Sequence, residues 1–179
     1  MTEGKLVGST FMSLDGVIDN PMWTMDYWDD EHSAYAASLM EPADALLCGR
    51  VTYEGFIQAW PQRSGDWYTD KINSMPKYVA SRTLTETSWN ATVIEGDLVE
   101  QVRAVKEKGT QLLKFGTGVV DIELLAAGLI DELHLWIFPV VVGSGVRLME
   151  GIETTHLKLV DSHRMASGIT VQKLVPKTD

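Results

Sequence analysis

The sequence predicts an α/β domain built on a mixed, mostly parallel sheet. Three observations carry that prediction. Short apolar runs alternate with helix-like segments along most of the chain, the order expected of strands joined by crossover helices. The stretch Leu112-Leu-Lys-Phe-Gly-Thr-Gly-Val-Val-Asp121 reads as a buried strand that feeds a glycine turn and then a helix. The tail, Leu157–Ser162 and Ile169–Leu174, alternates in period two around Ala166-Ser-Gly168, the pattern of an antiparallel hairpin. With 179 residues, 45% of them apolar, the chain is long enough for one domain over 1–179 with a substantial core.

Lys5–Phe11 reads as the first strand, followed by Met12-Ser-Leu-Asp-Gly-Val-Ile-Asp-Asn-Pro21, a loop rich in turn formers. The acidic, aromatic stretch Trp23–Asp30 is expected to stay irregular, and His32–Met40 to be helical, stopping before Pro42. Ala45–Cys48 is a short buried strand, and Gly49-Arg-Val-Thr-Tyr-Glu-Gly55 turns into a brief helix that fades near Trp60-Pro61. Trp67–Ser74 is a further helix ending ahead of Pro76, and Tyr78–Ala80 is the next strand. Ala91–Ile94, again a strand, precedes a helix with strong signals. Asp97 caps it, Glu100 stands at the capping-box spacing, Leu98, Val102 and Val105 recur at helical period, and Gly109 closes it. Strand Gln111–Phe115 follows, then a helix over Ile122–Ala127 with Asp121 as its cap and Gly128 as its stop. Leu133–Phe138 is strongly strand-like, and Gly143 and Gly145 read as a tight turn beside the sheet.

Composition removes several classes of function. A formal net charge of −10 argues against a general nucleic-acid binder, although a few local arginines and helix ends still suit a small phosphorylated ligand. No apolar run approaches the roughly 20 residues that span a bilayer. Met1-Thr-Glu-Gly-Lys-Leu has neither the apolar core nor the cleavage site of a signal peptide. The single cysteine, Cys48, sits in the apolar Ala45–Cys48 run as a small core residue, and one thiol forms no internal disulfide, which fits a cytoplasmic location. His32, His134, His156 and His163 show no metal-ligand spacing, so no metal site is expected.

Chemistry concentrates in a few short segments. Gly116 and Gly118 let backbone approach a ligand where a β-carbon would clash, and the following helix turns its free N–H groups toward an anion such as a pyrophosphate. Asp121 stands where a Rossmann dinucleotide fingerprint wants Gly or Ala, and the motif falls late in the chain, so a plain Rossmann assignment is disfavoured. Arg50 and Thr52 lie at a helix start, where guanidinium, hydroxyl and N–H groups can meet a phosphate; a surface ion pair is the alternative for Arg50. Ser81 and Arg82 follow a strand, at the edge where open α/β sheets bind ligands. An arginine there pairs with a 2′-phosphate, or else is a solvated loop residue. Asp15-Gly16 has the chemistry of a turn in which glycine supplies positive φ. Trp23, Tyr27 and Trp28 form either a stacking wall for a planar heterocycle or ordinary packing.

Taken in order, these segments resemble the dihydrofolate reductase-like superfamily, in particular the branch holding the reductase domain of the bifunctional riboflavin-biosynthesis deaminase-reductase. The resemblance is carried by Met12-Ser-Leu-Asp-Gly-Val-Ile18, Gly49-Arg-Val-Thr-Tyr-Glu54, Tyr78-Val-Ala-Ser-Arg-Thr-Leu84, the Gly-Thr-Gly turn, Gly128-Leu-Ile-Asp-Glu-Leu133 and Pro139-Val-Val-Val-Gly-Ser-Gly145. It covers almost the whole chain and implies a three-layer α/β/α fold with a C-terminal antiparallel hairpin. It implies NADPH as cofactor, held by Asp15, Gly16, Ile18, Gly49, Arg50, Thr52, Ser81, Arg82, Gly116, Thr117, Gly118 and Val119. The Gly16–Ile18 backbone would meet the nicotinamide carboxamide, with its loop as a lid.

The implied reaction is hydride transfer to a C=N or C=O bond of a small pteridine- or pyrimidine-like substrate, such as 5-amino-6-(5-phosphoribosylamino)uracil. Folate reductases of this superfamily deliver a proton from a carboxylate near the start of the first helix. Asp26, Asp29, Asp30 and Glu31 crowd that region, and Asp30 is preferred as nearest the helix start, an N-cap being its plainer role. The deaminase half is not expected, since no H-x-E or P-C-x-x-C zinc signature occurs. A homodimer through sheet-edge and C-terminal elements is implied. The competing functions are a non-catalytic nucleotide-binding or sensing module and a purely structural oligomerising domain. The arginines beside Gly49 and Ser81 argue against the latter, because turns need no arginine there.

Overall fold

The computed structural model describes residues 3–177, so Met1, Thr2, Thr178 and Asp179, the ends of the single-domain reading, lie outside the described residues. The fold is of the three-layer α/β/α class, with eight strands in a mixed sheet that is parallel except at its C-terminal strands. The chain forms two compact units. One comprises Ala37–Phe115 with the residues up to Leu6, and the other comprises Val7–Ala36 with the residues from Gly116 on.

In the first unit the strand order is β4-β3-β2-β5, all parallel. These strands are β2 (Ala45–Gly49), β3 (Lys77–Ala80), β4 (Ala91–Val93) and β5 (Leu112–Phe115). Ala45, Leu46, Leu47 and Cys48 are all buried, as a continuous apolar run requires when both faces of a parallel strand are covered. Helices α2 (Arg50–Ala59), α3 (Trp67–Ser74) and α4 (Leu98–Glu107) complete it. The α4 start is as read: the Asp97 carboxylate accepts the Glu100 N–H at 2.8 Å. Lys77 is buried, and its ammonium donates to the Asn73 and Met75 carbonyls at 3.1 and 2.7 Å and lies 3.9 Å from the Trp89 ring centre. Burial pushes Lys77 down to about 8 and the Cys48 thiol up to about 11, so Cys48 is an inert core thiol.

In the second unit the order is β1-β6-β8-β7. Strand β1 (Leu6–Ser13) runs parallel to β6 (Glu132–Phe138), and β8 (Thr170–Pro176) runs antiparallel to both β6 and β7 (Leu157–Arg164). The expected hairpin is present, with a bulge between Leu159 and Asp161. Trp136, Phe138, Leu124, Met165, Ile169 and Val171 are buried in this unit's core.

Several strand ends differ from the sequence reading by one or two residues, and three helices differ at their starts. Pro21–Tyr27 is a 3-10 helix rather than irregular, started by proline at its first turn, braced there by the Thr24 hydroxyl on the Pro21 carbonyl at 2.6 Å, and closed by the Trp28 N–H on the Met25 carbonyl. Trp23 and Tyr27 fix its inner side, each meeting Phe138 edge-on. Helix α1 (Asp30–Met40) starts two residues early, because Asp29 accepts the His32 N–H at 2.8 Å. Helix α5 (Val119–Ala126) starts three residues early, with Gly118 rather than Asp121 in the cap position. Asp121 instead reaches back and accepts the Gly118 N–H at 2.8 Å. Among the described residues no helix is long and apolar enough to cross a membrane.

Candidate active site

In the first unit the predicted phosphate residues assemble at two adjacent strand ends. The parallel register pairs Gly49 with Ala80, so Arg50 and Ser81-Arg82 leave β2 and β3 side by side. Gly49 precedes α2 in extended backbone, and Arg50 and Thr52 lie in the first turn. The Arg50 guanidinium donates to Glu54 at 2.7 Å and to the Thr83 hydroxyl at 2.6 Å. The ion pair is half exposed and contributes little to stability, so it positions the cation without neutralising it in a dry site. The Ser81 hydroxyl oxygen accepts from the N–H groups of Thr83 and Leu84 at 3.2 and 3.0 Å, which folds the turn that presents Arg82 to solvent. Thr83 was not among the residues read from the sequence. Its signal is faint, a hydroxyl two positions beyond Ser81 in a loop.

In the second unit Gly116 has φ 71, so its glycine is demanded by the backbone, and its N–H donates to the Ser9 carbonyl at 3.0 Å. The Thr117 hydroxyl bonds that of Thr10, a buried residue of β1. Gly118 differs. Its φ of −171 is extended backbone open to any residue, and a β-carbon there would meet nothing within 4 Å. Neither the backbone nor the packing of this chain requires glycine at Gly118. The N–H groups of Val119 and Val120 follow, in the turn where helix geometry supplies no acceptor. Val119 itself is 83% exposed, an apolar side chain left to water at a helix start.

Asp15 and Gly16 belong to a pinned loop. The Asp15 carboxylate accepts from Ser13 Oγ at 2.7 Å and from the N–H groups of Val142 and Gly143 at 3.0 and 2.7 Å, which holds it well below the usual carboxylate range. Gly16 takes φ 89 as its turn requires, and the Arg147 guanidinium bonds the Asp15 carbonyl. The N–H groups of Gly16, Val17 and Ile18 go to Ser13 O, Ser13 Oγ and Val146 O. The carbonyls of Asp15, Gly16 and Val17 are engaged in turn, by Arg147, by the Leu148 N–H and by the Ser13 N–H, so the loop is internally bonded on both counts. Gly145 is fixed by contact as well as by φ 141, since a β-carbon there would sit 2.3 Å from Asp19 Oδ1. Asp19 and Arg147 escaped the sequence reading because their partners lie some 130 residues away in the chain.

The four carboxylates near α1 separate by role. Asp29 is the cap, and Glu31 accepts the Ala166 N–H at 2.7 Å while facing His163 Nε2 at 3.2 Å. Asp26 and Asp30 are exposed, Asp30 in the first turn. Among the described residues no group of three or more His, Cys, Asp or Glu could hold a metal ion.

Residues 5–171 match the RibD C-terminal domain model. The chain is 26% identical over 176 residues to the uncharacterized protein YyaP of Bacillus subtilis (strain 168), covering 94% of this chain and 93% of that one. Among solved structures it resembles a protein named for riboflavin biosynthesis from Shewanella sp. PV-4, with a TM-score of 0.78, 24% identity, and 97% and 99% of the two chains covered. Dihydrofolate reductase from Enterococcus faecalis, complexed with NADP(H), gives a TM-score of 0.66 at 16% identity with 99% of each chain covered. The deaminase/5-amino-6-(5-phosphoribosylamino)uracil reductase of Thermotoga maritima gives 0.68 at 15% identity, covering 98% of this chain and 57% of that one. The match to the family model spans nearly the whole sequence, and the chain belongs to the RibD C-terminal domain family.

Proposed function

We propose that this protein is an NADPH-dependent reductase, cytoplasmic and homodimeric, that moves a hydride to a C=N or C=O bond of a small pteridine- or pyrimidine-like heterocycle. The observation that carries the reading is Gly118, a glycine at a helix start that neither backbone strain nor packing explains, with open space where its side chain would stand. That space, the Gly116–Val119 turn and the first N–H groups of α5 fit a diphosphate. At the ends of β2 and β3, Gly49, Arg50, Thr52, Ser81 and Arg82 fit the phosphate of an adenosine end, with Arg82 the group that favours NADPH over NADH. The pinned loop Asp15–Ile18 is the proposed neighbour of the carboxamide, and Asp30 is the proposed proton-handling carboxylate, since Asp29 and Glu31 are engaged in holding the fold and Asp26 lies in the 3-10 helix ahead of α1. The bound cofactor supplies the hydride; the protein aligns it and stabilises developing charge.

Purified protein mixed with NADPH and a panel of pterins and ribitylamino-pyrimidines, followed by the absorbance of reduced nicotinamide, tests this directly. Oxidation with at least one member is expected. Tight NADPH binding with no oxidation by any of them would leave a nucleotide-binding module. Leu159 and Val160 are exposed on β7, the sheet-edge strand that supports the dimer, and sizing in solution checks it.

A further inference from the structure

The start of α1 holds, besides its carboxylates, a buried imidazole with an unpartnered nitrogen. His32 is 6% exposed. Its ring lies among Phe11, Trp28 and Trp136, with centroids at 5.6, 5.1 and 4.9 Å. Its Nε2 is buried and has no hydrogen-bond partner. Buried polar atoms in folded proteins are almost always bonded, and one that is not calls for a reason. Packing gives none, because a phenyl ring would fill the same aromatic pocket without a stranded nitrogen.

The imidazole is also held neutral. Burial drives its pKa down, against the opposing pull of Asp29, the charged group that faces it, while Phe11, Trp28 and Trp136 bring no charge. A neutral ring nitrogen either donates or accepts according to tautomer. One face of the ring is covered by Trp28, stacked on the imidazole at an interplanar angle of 17° and itself 50% exposed. A half-exposed indole beside the imidazole is a neighbour that an entering planar ring can displace on its way to the ring's edge.

Resting on the reductase reading, we infer that His32 is the residue that recognises the substrate, its Nε2 hydrogen-bonding a ring nitrogen or carbonyl oxygen of a planar nitrogen heterocycle admitted when Trp28 shifts. The residue determines specificity rather than cofactor binding. Its partner is a polar atom on the heterocycle, because an apolar ring would leave the nitrogen stranded as it is now.

The test uses full-length protein with histidine labelled in its imidazole nitrogens and three probes: 6-methylpterin, 5-aminouracil and 2,4-diaminopyrimidine. At least one should move the His32 Nε2 resonance and change Trp28 emission, compared with Trp28→Phe. His32→Phe, which keeps the packing, should weaken that probe about tenfold or more and leave NADPH affinity within about twofold, and His32→Gln should recover part of the loss. No movement of the His32 resonance with any probe overturns the inference, as does His32→Phe binding the probe like wild type. If His32 responds while the protein neither binds nor oxidises NADPH, the reductase reading fails and the heterocycle contact stands.

Discussion

Helices α2 and α5 begin alike and are finished differently. Each follows a buried parallel strand, each has a glycine in extended backbone as its cap, and each leaves a valine 83% exposed in its first turn, Val51 in α2 and Val119 in α5. At α2 the first helical residue is Arg50, a solvated cation steadied by Glu54 and Thr83. At α5 the first turn carries a buried carboxylate, Asp121, which already complements the helix dipole and occupies the Gly118 N–H. In the proposed reading the same backbone device would serve two kinds of recognition. The α2 end would select by charge, through the exposed Arg50. The α5 end has its own negative charge, so what it offers a ligand is room and the two N–H groups of Val119 and Val120.

That contrast breaks most readily at Gly118. Valine there adopts the observed backbone without strain and meets no protein atom, so Gly118→Val should fold with an unchanged melting temperature. It should nonetheless lose NADPH binding by about a hundredfold or more, because the β-branched side chain fills the space proposed for the diphosphate. Normal NADPH titration of the folded variant would make the turn purely structural. Gly116→Val is the poorer probe. At φ 71 the substitution strains the turn whatever the ligand does.

The start of α1 is of a third kind, capped by a side chain rather than a glycine. If Asp30 handles the proton, Asp30→Asn should lower turnover by roughly 10²-fold or more with little effect on NADPH affinity. Asp29→Asn, a conservative change of the observed cap, should cost only a few tenths of a kcal/mol in stability. Full turnover in Asp30→Asn removes that residue.

On the charge side, Arg82→Ala should weaken NADPH by about tenfold or more and leave NADH nearly unchanged, since the proposed bond is to the 2′-phosphate alone. Equal loss for both nucleotides would sink the assignment. Arg50→Ala is less selective, because it also frees Glu54 and Thr83.

How much of this was legible depended on the range of the forces involved. Local signals read well. The strand-glycine-helix order, the Asp97 cap and the two-residue period of the hairpin are written within a few positions and appear as expected. The start of α5 was misplaced because Asp121 looks like a cap in sequence. With glycine free to cap, the carboxylate serves three residues later by reaching back. The 3-10 turn at Pro21–Tyr27 was hidden because long-range contacts of Trp23 and Tyr27 with Phe138 settle it. His32 was dismissed along with the other histidines as lacking metal spacing. Its isolation among Phe11, Trp28 and Trp136 depends on packing between β1, β6 and α1, which no local pattern records.

The smallest effect sharpens the distinction between glycine-led helix starts and that of α1. His32 and His134 are both held below their ordinary value of 6.5 by burial, against the raising influence of Asp29 on the first and Glu132 on the second. The unfolded chain therefore binds more protons than the folded one between the folded values and 6.5. Stability contributed by the two neutral rings is complete above 6.5 and is lost as pH falls through their folded values. His32→Phe removes one of them. Denaturant unfolding from about pH 7 down to about pH 5 should then show a shallower loss of stability in the variant than in wild type, with the residual slope carried in part by His134 and its 2.8 Å bond to Tyr35. Equal slopes would mean that His32 already takes up its proton in the folded protein as readily as in water. In that case the ring is reachable by solvent past Trp28, and the start of α1 is as open as those of α2 and α5.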